Sequence, residues 1–400
     1  MVNRPLYLKK LMTFKNQPLI KVITGMRRTG KSTLLLLFAD ALRTQGVSED
    51  HIIRLNLEDL ENEPLQDYHK LYQHLKEAMQ GKEHVYLLLD EIQAVDGWEK
   101  VVNTFYENGA ADIYITGSNA KMLSSELSTL LSGRYVEITV YPLSFQEYLD
   151  FLPPARRTPV DAAFSAYLKY GGFPVIPGLP QTNDTIGIVL SGIYHTVLVK
   201  DIAQRNAVRD AQLLEHLSSF LADSIGNPIA TSRISGYLTS QGRKVSGTTI
   251  DNYLRMLAEA FVFYPVQRYD IKGKAYLKTQ EKYYIVDTGI RNALLGFRPG
   301  DYGHILENIV YLELLRRGFR VSIGKLGALE VDFIAERMDE RIYYQVSASA
   351  LDEHTLEREL RPLMSIPDQY DKVLLTMDRT YVRNYEGVKN VNIVDFLLER

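Results

Sequence analysis

The sequence predicts an α/β chain whose first domain packs helices on both faces of a parallel sheet, and three observations carry that expectation. Residues 19–33, LIKVITGMRRTGKST, set a glycine-rich turn between a β-branched run and a helical run. Residues 85–91, VYLLLDE, are a continuous apolar run ending in two carboxylates. Further short apolar runs at 112–116 (DIYIT) and 135–140 (YVEITV) complete a βαβα alternation, the pattern of a three-layer nucleotide-binding domain.

Each element follows from its residues. Arg4, Lys9, Lys10 and Lys15 surround Leu8, Leu11, Met12 and Phe14, which reads as a short amphipathic helix. Ile20 to Ile23 then reads as a buried strand and Ser32 to Leu42 as a helix. Between them stands the whole G-x-x-x-x-G-K-[ST] pattern, with Gly25, Gly30, Lys31 and Ser32 in place. Glycine lets backbone N–H groups curl round phosphate, and a helix start adds partial positive charge. Gly25, Met26, Arg27, Arg28, Thr29, Gly30, Lys31, Ser32 and Thr33 are therefore the candidate phosphate cradle. Lys31 is expected to reach the β/γ-phosphates and the Ser32 hydroxyl to ligate Mg²⁺, so ATP and Mg²⁺ are the expected ligands. His51 to Leu57 is a second strand, followed by an acidic loop (Glu58, Asp59, Glu61, Glu63, Asp67) and a helix from Leu71 to Met79. Asp90, at the end of the next strand, is expected to hold Mg²⁺ through water, and Glu91 to polarise the attacking water. Ser118 and Asn119, at the tip of the 112–116 strand, are candidates for sensing the γ-phosphate.

At this point five motifs in order, GMRRTGKST, LLLDEIQ, ITGSN, LSGRYVEITVYPLSFQEY and YGGFP, resemble a prokaryotic family of AAA-superfamily ATPases with a long C-terminal domain of unknown function. The resemblance covers essentially the whole chain. It implies an arginine finger at Arg134, whose alternative is a structural ion pair. It also implies an adenine-capping turn at Gly171-Gly172-Phe173-Pro174, with Pro174 as the binding residue.

Four segments are expected: an ATPase core at 1–152, a helical lid or linker at 153–225, a winged helix at 226–290 and a nuclease-like α/β domain at 291–400. The Pro-rich stretch 153–160 and a loop at 177–184 interrupt the helical second segment, where His195 reads as a packing or surface residue. From Thr231 the order is helix, turn, helix, strand, loop, strand, the order of a winged helix. Residues 231–278 hold eight Lys/Arg against three Asp/Glu, an excess suited to duplex DNA phosphates. Docking of a protein and service as an ATPase lid are the open alternatives. In the last segment Glu307 on a helix, Asp332 on a strand and RIYYQV (341–346) resemble a restriction-endonuclease-like core, with Glu330 a further carboxylate. Gln345 and Ser347 stand where that pattern wants a second acid and a lysine, so the expectation is the fold with a crippled site.

Composition limits the chemistry. The 400 residues carry a net charge of −3 and no cysteine, which removes disulfides, thiolate metal sites and cysteine nucleophiles. The start lacks the order of a signal peptide, and no apolar run is expected to reach membrane-spanning length, so a cytoplasmic protein without a membrane partner is the expectation. Binding of ATP and ADP with hydrolysis is expected, with a nucleotide-gated switch of slow turnover as the alternative. An ATP-regulated nuclease is disfavoured by Gln345 and Ser347. An Arg134 finger acting between subunits would require an oligomer.

Overall fold

The computed structural model describes residues 2–109, 111–119, 133–206, 208, 210–379 and 382–399. They fall into two compact units, Met1–Val140 with Glu259–Phe261, and Tyr141–Ala258 with Val262–Arg400.

In the first unit α1 (Pro5–Thr13) precedes β1 (Ile20–Thr24), α2 (Lys31–Thr44), β2 (Ile52–Asn56), α3 (Tyr68–Ala78), β3 (Val85–Asp90), α4 (Trp98–Glu107), β4 (Ala111–Thr116) and β5 (Tyr135–Thr139). The strands pair in parallel in the order β2-β3-β4-β1-β5. Strand alternation explains the three layers. Val85, Leu87 and Leu89 of β3 pack with Leu71 and Leu75 of α3 and Trp98, Val101 and Phe105 of α4. Tyr86 and Leu88 face the other way, against Tyr7 and Leu11 of α1 and Leu34, Leu35 and Phe38 of α2. Burial on both faces is why β3 reads as an unbroken apolar run. The acidic stretch after β2 is a 3₁₀ turn over Leu60–Gln66, and Asp67 then caps α3 by accepting the N–H groups of His69 and Lys70. Leu131 and Ser132, which open the fourth motif, lie outside the described residues.

The second unit starts with helices: α5 (Phe145–Phe151), α6 (Val160–Tyr170), α7 (Asn183–Thr196) and α8 (Ala211–Asp223). There follow β6 (Pro228–Ile229), α9 (Thr231–Ser240), α10 (Gly247–Glu259) and the antiparallel pair β7 (Phe263–Asp270) and β8 (Ala275–Ile285). After α11 (Thr288–Leu295) and α12 (Tyr302–Arg316) come β9 (Arg320–Leu326), β10 (Leu329–Arg337), β11 (Glu340–Val346), α13 (Glu353–Met364), β12 (Asp371–Thr376), β13 (Asn384–Tyr385), β14 (Val388–Asn392) and α14 (Ile393–Leu397). One nine-stranded sheet runs β13-β14-β12-β11-β10-β9-β7-β8-β6. Parallel pairing of β7 with β9 thus joins segments 226–290 and 291–400 in a single sheet.

One expectation is corrected here. Helix α7 runs on as a π-helix over Val197–Gln204, and the continuous Asn183–Gln204 stretch of 22 residues is long and apolar enough to cross a membrane by length and composition. Asp184, His195, Lys200 and Asp201 interrupt its apolar run, which hides its length from a search for unbroken apolar sequence. Some 44% of the stretch is buried inside the fold.

Candidate functional site

The phosphate loop joins β1 to α2 at the edge of the sheet where the parallel strands end. Gly25 has φ +134°, and a Cβ there would stand 2.3 Å from the Val140 carbonyl oxygen, so the loop passes β5 with room for hydrogen only. Gly30 also takes a positive φ, +96°, as the residue that caps α2. Lys31 folds over the loop, donating to the carbonyls of Gly25 at 2.9 Å and Met26 at 3.1 Å. Its ammonium also lies 3.9 Å from Glu91 Oε1. From behind, the buried Arg4 donates to the Thr29 carbonyl at 2.9 Å while stacking on Tyr7, and the Thr29 hydroxyl closes the turn onto Met26 O at 2.9 Å. Arg27 leaves the loop for a forked pair with Glu58 at 2.9 and 3.0 Å. Arg28 holds φ +70°, and Ser32 and Thr33 are exposed on the first turn of α2.

The carboxylates of β3 come to the same edge. Thr116, fully buried at the end of β4, donates its hydroxyl to Asp90 Oδ1 at 2.5 Å and accepts the Glu91 N–H at 2.9 Å. Glu91 takes the left-handed backbone (φ +52°, ψ 49°), a conformation costing a non-glycine residue on the order of 1 kcal/mol. Its side chain points to Lys31 and accepts a hydrogen bond from the Gln93 amide. Asp90 and Ser32 are hard oxygen donors of the kind Mg²⁺ takes, so these residues fit a cation held jointly with phosphates. Among the described residues no cluster of three or more His, Asp or Glu could hold a metal without such help.

The remaining expected residues are placed as follows. Ser118 and Asn119 are buried at the β4 tip, between the strands that carry the phosphate loop and Asp90. Arg134 is not brought to this edge within the chain. It precedes β5, with its carbonyl accepting from Ile20 at the start of β1, and five parallel residues put it roughly 16 Å from the loop. Its guanidinium donates to Asn103 at 2.8 Å and Glu107 at 3.0 Å, the ion pair that was the alternative to a finger. Pro174 belongs to the second unit. There the Gly172 N–H donates to Asp287 at 2.6 Å and the Gly172 carbonyl accepts from Leu143 at 2.7 Å, fixing the turn before Pro174. Asp287 also caps α11 through the N–H groups of Gly289 and Ile290, and burial pushes its carboxyl up to about 6 against those three donors.

Sequence reasoning overlooked Arg4, Thr116 and Gln93. A hydroxyl closing the apolar run beside Asp90 was the available signal for Thr116. Arg4 had none, since its contact bridges 25 residues.

A second polar cluster lies in the second unit. Lys282 of β8, 3% exposed, donates to Glu307 Oε1 of α12 at 3.2 Å and lies 2.9 Å from Glu330 Oε1 of β10. Burial alone would lower its ammonium, but Glu307, Asp332 and Glu330 hold it above its ordinary value. The Tyr284 hydroxyl also donates to Glu307. Asp332 Oδ2 accepts the Val346 N–H at 2.9 Å, and burial next to Glu307 pushes its carboxyl well up. Gln345 bridges: its carbonyl accepts the Asp332 N–H at 3.3 Å and its amide donates to Glu359 of α13 at 2.9 Å. Glu307, Glu330, Asp332, Gln345 and Glu359 line a cavity of about 570 Å³, together with His304, Ser347 and Arg358.

Comparison with known proteins bears on the fold of the first unit. The profile of an AAA domain matches residues 17–149, and that of a domain of unknown function matches residues 161–301. An uncharacterized protein of Haemophilus influenzae is 44% identical, covering 100% of this chain and 99% of its own. Another, from Methanocaldococcus jannaschii, is 31% identical over 94% of this chain and 85% of its own. Among solved structures, the Walker-type ATPase of Pyrococcus abyssi superposes with a TM-score of 0.50 at 15% identity, over 74% of this chain and 96% of that one, a likeness of fold alone.

Proposed function

The chain belongs to the family of the Haemophilus influenzae and Methanocaldococcus jannaschii proteins, with an AAA domain in its first third, and from that membership we propose that it binds ATP with Mg²⁺ and hydrolyses it. The observation that carries this reading is the convergence of the Gly25–Thr33 loop, Asp90 and Glu91 on one edge of a parallel sheet. The loop N–H groups and the α2 start cradle the phosphates, and Lys31 gives up its carbonyl partners for phosphate oxygens. Ser32 and Asp90 hold Mg²⁺, which neutralises phosphate charge. Glu91 accepts the proton of the attacking water, and Asn119, with Ser118 beside it, reports on the γ-phosphate. Turnover of labelled ATP by the wild type, absent in Lys31→Ala, tests the assignment.

A specific contact favours slow turnover. The Glu91 carboxylate is already engaged by the Gln93 amide and faces Lys31, so in this state the base is held rather than presented. Nucleotide would then act as a switch on the second unit, with hydrolysis as the reset. On this reading Pro174 belongs to an adenine-capping turn, and Arg134 serves as a finger only between subunits. The order α8, β6, α9, α10, β7, β8 supports a winged helix, and its exposed Arg233, Lys244, Arg255, Lys272 and Lys274 support contact with duplex DNA. Helix α12, strands β9 to β11, helix α13 and strand β12 follow the order of a restriction-endonuclease-like core. We read that core as one that cuts nothing.

A further inference from the structure

Cores of the restriction-endonuclease type imply a divalent cation held by carboxylates at one end of the sheet. The residues present here do not fit one. Mg²⁺ takes six oxygen ligands in near-octahedral array, and the carboxylates that could supply them are already committed. Glu307 and Glu330 converge on the Lys282 ammonium at 3.2 and 2.9 Å. Asp332 turns one oxygen onto the Val346 N–H, and Glu359 is held by the Gln345 amide and by Arg358. Gln345 has no charge to offer, and the described residues provide no cluster able to hold a metal.

We propose that the Lys282 ammonium occupies the place of the divalent cation, so that this core is a metal-free pocket closed by its own internal cation. The placement is non-local. Lys282 comes from β8, outside the helix–strand–strand–strand order of the core, and reaches it because β7 pairs with β9 and brings the hairpin alongside. Burial gives the contact its force. Lys282 is 3% exposed, so water cannot replace its acidic partners, and a second cation beside it would meet an unscreened like charge. An exposed lysine would swing away; this one has no solvent to swing into. Gly226 belongs to the same arrangement: a Cβ there would stand 2.9 Å from His304 Nδ1 and 3.0 Å from Glu307 Oε2, so the helix acid is packed as well as paired.

The inference rests on reading the domain as a nuclease-like core that does not cut, and the test separates the two. Mn²⁺ is titrated into the nucleotide-free full-length chain, with free Mn²⁺ followed by electron paramagnetic resonance, for the wild type, Asp332→Asn, Lys282→Met and Lys282→Met with Asp332→Asn. The wild type and Asp332→Asn should bind Mn²⁺ alike. Lys282→Met should gain one site at least tenfold tighter than anything the wild type offers there, lost again in the double variant. Lys282→Gln, which retains a polar head, serves if Lys282→Met does not fold, and the wild-type comparison with Asp332→Asn needs neither. A wild-type Mn²⁺ site that vanishes in Asp332→Asn overturns the inference, as does a folded Lys282→Met or Lys282→Gln that gains none. Duplex DNA incubated with the wild type and Mn²⁺ decides the underlying reading. Cleavage lost in Lys282→Met would make Lys282 a catalytic group and sink both; wild-type Mn²⁺ binding that needs Asp332, without cleavage, would sink only the metal-free pocket.

Discussion

Lys31 and Glu91 lie 3.9 Å apart, yet their removal should separate binding from chemistry. Lys31→Ala takes away a point charge that backbone donors cannot replace, so ATP binding and turnover should both be lost, read by equilibrium dialysis and phosphate release. Glu91→Gln keeps the shape and loses only the base. It should retain ATP while turnover falls roughly 10²- to 10⁴-fold; equal loss of binding would make Glu91 structural. Thr116→Val removes the hydroxyl that ties Asp90 to the Glu91 backbone, leaving that buried N–H unsatisfied, at a cost of about 1–3 kcal/mol of stability. The loop, Asp90 and Glu91 were legible because their chemistry is local, a run of neighbours with fixed roles. Arg4, Thr116 and Lys282 were not, because each meets its partner only after 25 or more residues have folded back.

Elements follow the same division. The central strands β1, β3 and β4 show as runs buried on both faces, while the edge strands β2 and β5 show by their β-branched and aromatic residues around the exposed Arg54 and Glu137. Strand β8 reads only at its buried end, Tyr283 to Ile285. Its first residues, Ala275 to Leu277, pair with Asp270 to Arg268 of β7 across a register shift, which no local pattern reports. The turn before Pro174 is likewise set by a distant cap, Asp287, and this makes it sensitive to pH. The unfolded chain gives up that proton near 3.8, while the folded chain keeps it to about 6. Folding stability should therefore decline as pH rises from about 4 to about 6, by an amount on the order of 2–3 kcal/mol from this group, with no contribution below that window and the full penalty above it. Urea midpoints followed by circular dichroism at several pH values give the slope. In Asp287→Asn that part of the slope should disappear, and an unchanged slope would show that another group titrates there.

At the scale of the molecule, the question is whether the basic helices and hairpin of the second unit touch DNA and whether the ATPase site feels it. Charge count alone overstates the surface: Arg268 is buried against Gln280, and Arg243 is tied to Asp210 at 3.2 Å. Lys244, Arg233, Arg255, Lys272 and Lys274 remain exposed, and these set the expected footprint. If each neutralises a phosphate, the logarithm of affinity should fall with the logarithm of salt at a slope of about −0.9 per contact, hence roughly −4 to −5. Phosphate contacts carry no sequence information, so Lys244→Glu with Lys274→Glu should weaken every duplex alike and flatten the slope by roughly two contacts. Arg243→Glu in addition should do less to binding than either, because its partner Asp210 would lose an ion pair and the loss would register as stability. ATP turnover measured across the same salt series, with and without duplex, then separates the two readings of the nucleotide site. A DNA-responsive ATPase speeds up as the duplex binds and slows as salt releases it. A switch turns over slowly in both, while its DNA affinity differs between the ATP and ADP states by the same factor that DNA changes the ratio of nucleotide affinities, as linkage demands. No binding at low salt would remove DNA as the partner and leave the exposed cations to a protein surface of opposite charge.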